Sequence, residues 1–388
     1  MSLHPLWGHA ELRASLGRAV LRASLPATLL LHGPRGVGKQ RLALWLGQLL
    51  LCEAPSEGGP CDRCRSCRMA LRLEHPDLHW HFPLARPQGV STPEKLAAAL
   101  EDARADALAA LRKESLRASW SDEARAIYLA AAQTLRRRAQ SRPSLGERQV
   151  FVVADADTLV PQESSQEAAN ALLKLLEEPP PSTTLVLTSS QPGDLLPTIR
   201  SRTLAVHVAG LTAKEVEEFL TSVGGQPSER AAEAARRAHG SIGRALGFLP
   251  DQEGDPGPLE RLRSEALRLL EAALAPGPAD GFRRALEHRP WGARGLHDLL
   301  YALEEWLRDL AAVMAEADQQ VVSRERADHL RLLARRAGLA PSAPSRALRP
   351  LEDAHLLARG NVNPQLLMNG VVAGLRQALL PPSPGSTS

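Results

Sequence analysis

Leu29-Leu30-Leu31-His32-Gly33-Pro34-Arg35-Gly36-Val37-Gly38-Lys39-Gln40 is the stretch that decides the fold. The run 27–32 is short and almost wholly apolar, as suits a buried parallel strand. Gly33 to Lys39 then fits G-x-x-x-x-G-K, and residues 41–51 carry apolar side chains at helical spacing. Strand, glycine-rich turn and helix in that order is the context of a P-loop. Gly33, Gly36 and Gly38 let backbone N–H groups, that of Val37 among them, turn inward around a phosphate at a helix N-terminus. Lys39 would reach the outer phosphates as a point charge. ATP or ADP is the ligand class such a loop takes; the alternative is a glycine-rich turn with no ligand.

Outward from the loop, 150–154, 184–188 and 204–208 read as further strands, with helices at 11–21 and 167–176. Strands alternating with helices imply an α/β domain with a mainly parallel sheet over residues 1–208. From Thr212 the pattern is helical, first over 209–250 and then, beyond a Pro/Gly/Asp-rich linker at 250–258, over 258–380. The tail 381–388 is expected to be disordered. Residues 83–149 are polar, Ala- and Arg-rich and helical in pattern, ending near Arg136-Arg137-Arg138.

Composition excludes some classes. No apolar run approaches the ~20 residues that span a bilayer, and the N-terminus carries no signal pattern, so a cytoplasmic protein with no membrane partner is expected. Aromatics make up only 3% of the chain, too few for a base-stacking platform. A net charge of +3 says little about nucleic acid. Only five lysines are present, and one of them sits where a P-loop needs it.

The loop lacks parts that hydrolysis requires. Gln40 stands where a Ser or Thr hydroxyl would ligate Mg²⁺. The strand at 150–154 should end in a metal-side carboxylate followed by an acid that positions water. Here Ala154 takes the first place and Asp155 the second. Two altered metal-side positions together point to weak or absent hydrolysis.

All four cysteines, Cys52, Cys61, Cys64 and Cys67, fall in a C-x8-C-x2-C-x2-C pattern. Thiolates at this spacing can complete a closed tetrahedral shell, so structural Zn²⁺ is expected, with a redox dithiol or an iron–sulfur cluster as the alternatives. His75, His79 and His81 follow closely; they are read as loop and strand residues rather than ligands.

Together these motifs resemble the clamp-loader branch of the AAA+ ATPases that serves bacterial DNA polymerase III. The opening His4-Pro5-Leu6-Trp7-Gly8-His9, the segment Asn170-Ala171-Leu172-Leu173-Lys174-Leu175-Leu176-Glu177-Glu178-Pro179-Pro180 and the zinc cysteines after the P-loop helix all resemble that family. Leu185 to Ser190, with Thr188 facing the nucleotide site, is similar to its sensor-1 strand. Leu196-Pro197-Thr198-Ile199-Arg200-Ser201-Arg202-Thr203 resembles its Ser-Arg-Cys motif, with Thr203 in place of the cysteine. The resemblance implies that Arg202 is an arginine finger acting in trans on a neighbour's ATP, by neutralising charge at the γ-phosphate; an ordinary surface salt bridge is the other reading. Gly240-Ser241-Ile242-Gly243-Arg244 resembles the start of the sensor-2 helix, with Gly243 where active motors carry Arg. Asn361-Val362-Asn363-Pro364-Gln365-Leu366 resembles a collar helix through which five subunits oligomerise.

The implied fold is an AAA+ P-loop domain with a parallel sheet and a zinc module at 52–67, a small helical lid and an all-α C-terminal collar. The implied partners are gamma/tau-type motor subunits and a delta-type clamp-opening subunit in a hetero-pentamer, the sliding clamp and primer–template DNA. The implied setting is the nucleoid-associated replisome. Such a chain would belong to a DNA polymerase holoenzyme by assembly, with little or no ATPase of its own. The runner-up is an active gamma/tau-type motor; a P-loop regulatory protein unrelated to replication is a third reading. The insertion at 83–149 departs from the family and is expected to be an amphipathic helical pair lying on the sheet rather than a basic arm near DNA.

Overall fold

Five strands, β1 (Thr28–His32), β2 (Leu78–His81), β5 (Gln149–Val153), β6 (Thr183–Ser189) and β7 (Leu204–His207), form one parallel sheet in the order β2-β5-β6-β1-β7. The computed structural model describes residues 3–90, 92–114, 116, 125–159, 167–251, 253–277, 279, 283, 293–358 and 362–380. The expected tail at 381–388, and Asn361 of the expected collar motif, lie outside the described residues. The described residues divide into two units, those up to 246 and those from 247 onward.

The aliphatic runs read as strands because the sheet is covered on both faces. Successive side chains of a strand point to opposite faces, and the two cores follow that alternation. Leu29 and Leu31 pack with Val150, Val152 and Val186 on the face covered by α2 (Lys39–Leu50). Leu30 packs with Phe151, Val153, Leu185 and Leu187 on the other face, covered by α6 (Glu167–Glu177). Every residue of β5 and β6 is buried.

Strand β2 contains His79 and His81, two of the histidines read as loop and strand residues, though the sequence pattern sets no strand bounds there. Its residues Leu78-His79-Trp80-His81 carry no aliphatic run, yet they pair with Val150–Val153 as a sheet edge. His79 stacks on Phe151 with ring centroids 4.5 Å apart, so the imidazole fills an apolar role. Burial pushes His79 down to about 4 and His81 to about 3, with the Arg138 and Arg104 charges (Arg104 alone ahead of the rest for His81) acting in the same direction.

Two helices make up most of the described part of residues 83–149. α4 (Pro93–Lys113), capped by Thr92, packs on α5 (Leu129–Ala139), and α5 packs on α6 and β5. Leu135 and Ala139 enter the same core as Phe151. The strands β3 (Leu84–Ala85) and β4 (Arg125–Ala126) add a small antiparallel ribbon that the helical pattern had hidden. Glu101 of α4 pairs with Arg104 and, across the helices, with Arg138 at 2.8 Å. These arginines therefore hold the insertion together.

In the second unit, α11 (Pro258–Leu274), α12 (Ala293–Met314), α13 (Ala327–Ala337), α14 (Leu348–Leu357) and α15 (Pro364–Leu379) enclose one apolar core that includes Leu270, Leu303, Leu351 and Leu375. Arg263 is buried within this unit, its guanidinium 4.1 Å from the Trp306 ring centroid and within 4 Å of Glu305 and Asp309. The Asp309 carboxylate also accepts from the amides of Val322 and Ser323 and from the Ser323 hydroxyl. A buried charge needs such compensation to be tolerated.

Phe151 is fully buried where the sheet, α5 and α6 meet. Phe151→Ala is expected to cost about 3–5 kcal/mol of stability, read as a lower denaturant midpoint. An unchanged midpoint would show that this face of the sheet is not packed as described.

Candidate functional site

The P-loop joins β1 to α2, and its conformation needs its glycines. Gly33 has φ 148° and Gly36 φ 77°. A Cβ on Gly33 would lie 2.1 Å from the Val208 carbonyl oxygen, and one on Gly36 2.4 Å from Ser241 Oγ. Lys39, the first residue of α2, is buried, and its ammonium donates to the Gly33 carbonyl at 2.9 Å, the Pro34 carbonyl at 2.7 Å and Ser190 Oγ at 2.8 Å. An ammonium has three donors, and each has an acceptor here. Burial brings Lys39 down to about 8, against the raising influence of Asp155 and Asp157.

Residues 240–244 cover the loop from above. The Gly243 amide donates to the Gly36 carbonyl at 3.0 Å, and a Cβ at Gly243 would already sit 3.0 Å from Gly36 Cα. A side chain at 243 would therefore press on the Gly36 backbone and need a local shift there. The Ser241 hydroxyl caps α10 (Ile242–Phe248) by accepting from the Arg244 amide at 3.0 Å.

The N-terminal residues lock this arrangement. His9 Nε2 donates to the Val37 carbonyl at 2.8 Å, and Trp7 Nε1 donates to the Glu215 carbonyl at 2.9 Å. The rings of His4 and Trp7 both meet Phe219 edge-on. Glu215 and Phe219 lie on α8 (Ala213–Ser222), whose start is fixed by a capping box between Thr212 and Glu215. The motif His4 to His9 therefore ties residues 213–222 to the phosphate loop.

Beside the loop, Ala154 is fully buried, and its amide donates to the His81 carbonyl. Its side chain offers no oxygen to a metal. Asp155 adopts φ 46°, and its amide donates to Thr188 Oγ1 at 3.1 Å, so these two predicted residues are brought together. Asp157, which the sequence reading had not singled out, accepts from Ser189 Oγ at 2.6 Å. Burial raises its carboxyl above the usual range, with the nearby Asp155 adding to the effect. Ser189, Ser190 and Asp157 are the residues that sequence reasoning missed; their proximity to Lys39 depends on the pairing of β6 with β1 and β5. Gln40 is half-buried one residue into α2.

Arg202 stands at the other end of β1. The Thr28 hydroxyl donates to the Arg202 carbonyl at 2.6 Å, whereas the P-loop begins after His32. Five strand residues at roughly 3.3 Å each separate the two ends. The Arg202 guanidinium donates to the Thr198 carbonyl at 3.0 Å and pairs with Glu177 at 2.6 Å, its side chain 34% exposed. From there it cannot serve the loop of its own chain.

The four cysteines form a third centre. Their sulfurs all lie within 4.8 Å of one another, and Cys61 Sγ is 4.0 Å from Cys67 Sγ. Four sulfurs at about 2.3 Å from a tetrahedral ion would stand about 3.8 Å apart, so the cluster has the dimensions of a metal shell. Amides of Ala54 and Cys61 point at Cys52 Sγ, that of Cys64 at Cys61 Sγ, and that of Cys67 at Cys64 Sγ, each at 3.3 or 3.4 Å. Such donors stabilise thiolates. Backbone donors pull Cys61 down to about 6, whereas burial pushes Cys52 and Cys67 up. No histidine joins the cluster among the described residues. Gln48 of α2 donates to Asp62 at 2.7 Å, which moors the module to the P-loop helix.

The chain is similar in sequence to known proteins. The family described as DNA polymerase III, delta subunit, matches residues 8–212. The DNA polymerase III subunit delta' of Pseudomonas aeruginosa is 31% identical over 235 residues, covering 56% of this chain and 57% of that protein. The Bacillus subtilis subunit delta' is 28% identical over 207 residues, covering 53% and 49%. The Escherichia coli subunit delta' is 26% identical over 360 residues, covering 91% and 90%. The matched part thus spans about half the length of the first two relatives and nearly all of the third. Matched by the family over more than half of its length, the chain belongs to the DNA polymerase III, delta subunit family, as a member of the delta' type.

Proposed function

We propose that this chain is a hydrolysis-impaired, delta'-type subunit of a bacterial clamp loader that supplies Arg202 in trans to the ATP of a neighbouring motor subunit. The observation that carries this reading is the division of β1: a phosphate loop at one end and a partly exposed arginine, anchored by Thr28, at the other. An arginine inserted across a subunit interface neutralises charge developing on the γ-phosphate, and its own chain's loop need not turn over for it to act. The complex would contain gamma/tau-type motors and a delta-type subunit in a hetero-pentamer that places the sliding clamp on primer–template DNA in the cytoplasm. Contacts to the DNA would be mainly to phosphates, hence sequence-independent and salt-sensitive. No helix among the described residues is long and apolar enough to cross a membrane.

Several features support impaired hydrolysis. The metal-side positions are Gln40 and Ala154, and the Lys39 donors are engaged by the loop and Ser190. The backbone of Gly243 occupies the approach over Gly36. ATP or ADP at Gly33, Gly36, Val37, Gly38 and Lys39 would have to displace these contacts, so binding is weak or absent.

Zinc fits the cysteine cluster. Cys52, Cys61, Cys64 and Cys67 would hold it, and with four thiolates the ion supplies cross-linking of a short irregular segment rather than chemistry.

Three outcomes are expected. The purified chain should turn over ATP no faster than a protein-free control; a rate on the order of 1 per second or more would contradict the reading. In a reconstituted complex, Arg202→Ala should lower DNA-stimulated ATPase and clamp loading, loading by roughly tenfold or more; unchanged activity would remove the trans assignment. Elemental analysis should find about one zinc per chain, lost in Cys64→Ser, whereas a coloured, iron-containing preparation would contradict the zinc assignment.

A further inference from the structure

We propose that Glu177 is a positioning residue for Arg202, holding the guanidinium ready for the neighbour's nucleotide. The inference rests on the reading of Arg202 as a finger in trans and adds to it the group that presents the finger.

Glu177 is the last residue of α6, followed by Glu178 and the three prolines at 179–181. A carboxylate at a helix C-terminus faces the negative end of the helix dipole, so the helix itself gives no reason for an acid there. The reason lies across the fold, where Glu177 Oε1 is 2.6 Å from an Arg202 terminal nitrogen. The other terminal nitrogen donates to the Thr198 carbonyl at 3.0 Å and to Ser201 Oγ at 3.3 Å. The backbone of the same residue is tied to β1 through Thr28. Arg202 is thus fixed at its main chain by the sheet and at its tip by α6.

Holding the tip matters because an arginine side chain is long and rotamer-rich, and a planar fork that is already oriented loses less freedom when it meets an anion. Positioning of this kind contributes to catalysis by removing the need to order the group during the reaction. A guanidinium carries five N–H donors, more than these three contacts use, so the pair with Glu177 leaves donors for phosphate oxygens. Both side chains stay partly exposed, 34% for Arg202 and 45% for Glu177, so a partner subunit can reach the pair. Glu177 acts through Arg202 and does not touch the nucleotide.

The test is a fully reconstituted clamp loader carrying Glu177→Ala, Glu177→Gln, Arg202→Ala, or Glu177→Ala with Arg202→Ala. Assembly is checked by size-exclusion chromatography, and ATPase stimulated by clamp and primed DNA is measured over a range of ATP. Glu177→Ala should lower kcat about two- to fivefold, the range a partly exposed ion pair supports, with KM for ATP little changed. Glu177→Gln, which still accepts a hydrogen bond, should recover part of the loss. In the Arg202→Ala background, Glu177→Ala should change nothing further. If Arg202→Ala lowers kcat while both Glu177 variants match or exceed the wild type, the positioning role is wrong and the finger stands. If Glu177→Ala causes the same loss with and without Arg202, Glu177 is structural and the proposal falls. If Arg202→Ala itself has no effect, the finger reading fails and takes the proposal with it.

Discussion

The hydrogen-bonded position of β1 between β6 and β7 constrains everything else in the first unit. Thr28–His32 pairs in parallel with Leu185–Ser189 on one side, and Leu29–His32 pairs with Leu204–His207 on the other. Both faces are buried, Leu29 and Leu31 on one and Leu30 on the other. A strand fixed on four sides holds whatever is attached to its ends. At its C-terminal end the chain turns through Gly33 into the phosphate loop; at its N-terminal end Thr28 grips the carbonyl of Arg202. The distance between those two centres is therefore set by the strand's length, and it divides the loop from the arginine.

The loop end is closed by contacts that all come from within the first unit. Lys39 is held by two loop carbonyls and Ser190, the Gly243 amide reaches the Gly36 carbonyl, and His9 reaches the Val37 carbonyl. Each contact is of ordinary strength, worth about 1 kcal/mol net, but they act on one short loop and agree in direction. Together they join the loop to residues 240–244, to β6 and to the N-terminal segment. The arginine end differs in exposure: Arg202 is held by Thr28, Thr198, Ser201 and Glu177, yet its charged tip stays partly exposed. One chain therefore carries a glycine-rich loop held by its own contacts at one end of β1 and a partly exposed arginine at the other.

Much of this was legible in the sequence where the signal is local. Strands β1, β5 and β6 are buried on both faces and so appear as unbroken aliphatic runs, with ends within two residues of those expected. The cysteines lie close enough in sequence for spacing to imply convergence, and their sulfurs do converge. Strand β2 was legible only as a loop-and-strand reading of its histidines, without bounds, because histidines and a tryptophan do the packing that aliphatic residues do elsewhere. The pairs that give the site its character, Lys39 with Ser190, Gly36 with Gly243, Thr28 with Arg202 and Glu177 with Arg202, join residues far apart in the chain. No local pattern encodes them. Gly243 is instructive: the sequence showed an arginine missing, and the structure shows that the position is filled by backbone contact with the loop. Likewise His4 to His9 reads in sequence as a family signature, and in the fold it is the strap that joins Val37 to α8.

The central claim is that Arg202 serves a nucleotide belonging to another subunit while this chain's own loop stays empty. An electron cryomicroscopy structure of the assembled complex, with primed DNA and a non-hydrolysable ATP analogue, tests it directly. The account predicts a guanidinium nitrogen of Arg202 about 2.7–2.9 Å from a γ-phosphate oxygen of a neighbouring subunit, with no nucleotide over Lys39. Arg202 turned away from every subunit interface, or an analogue bound with its metal at residues 33–40, would contradict it.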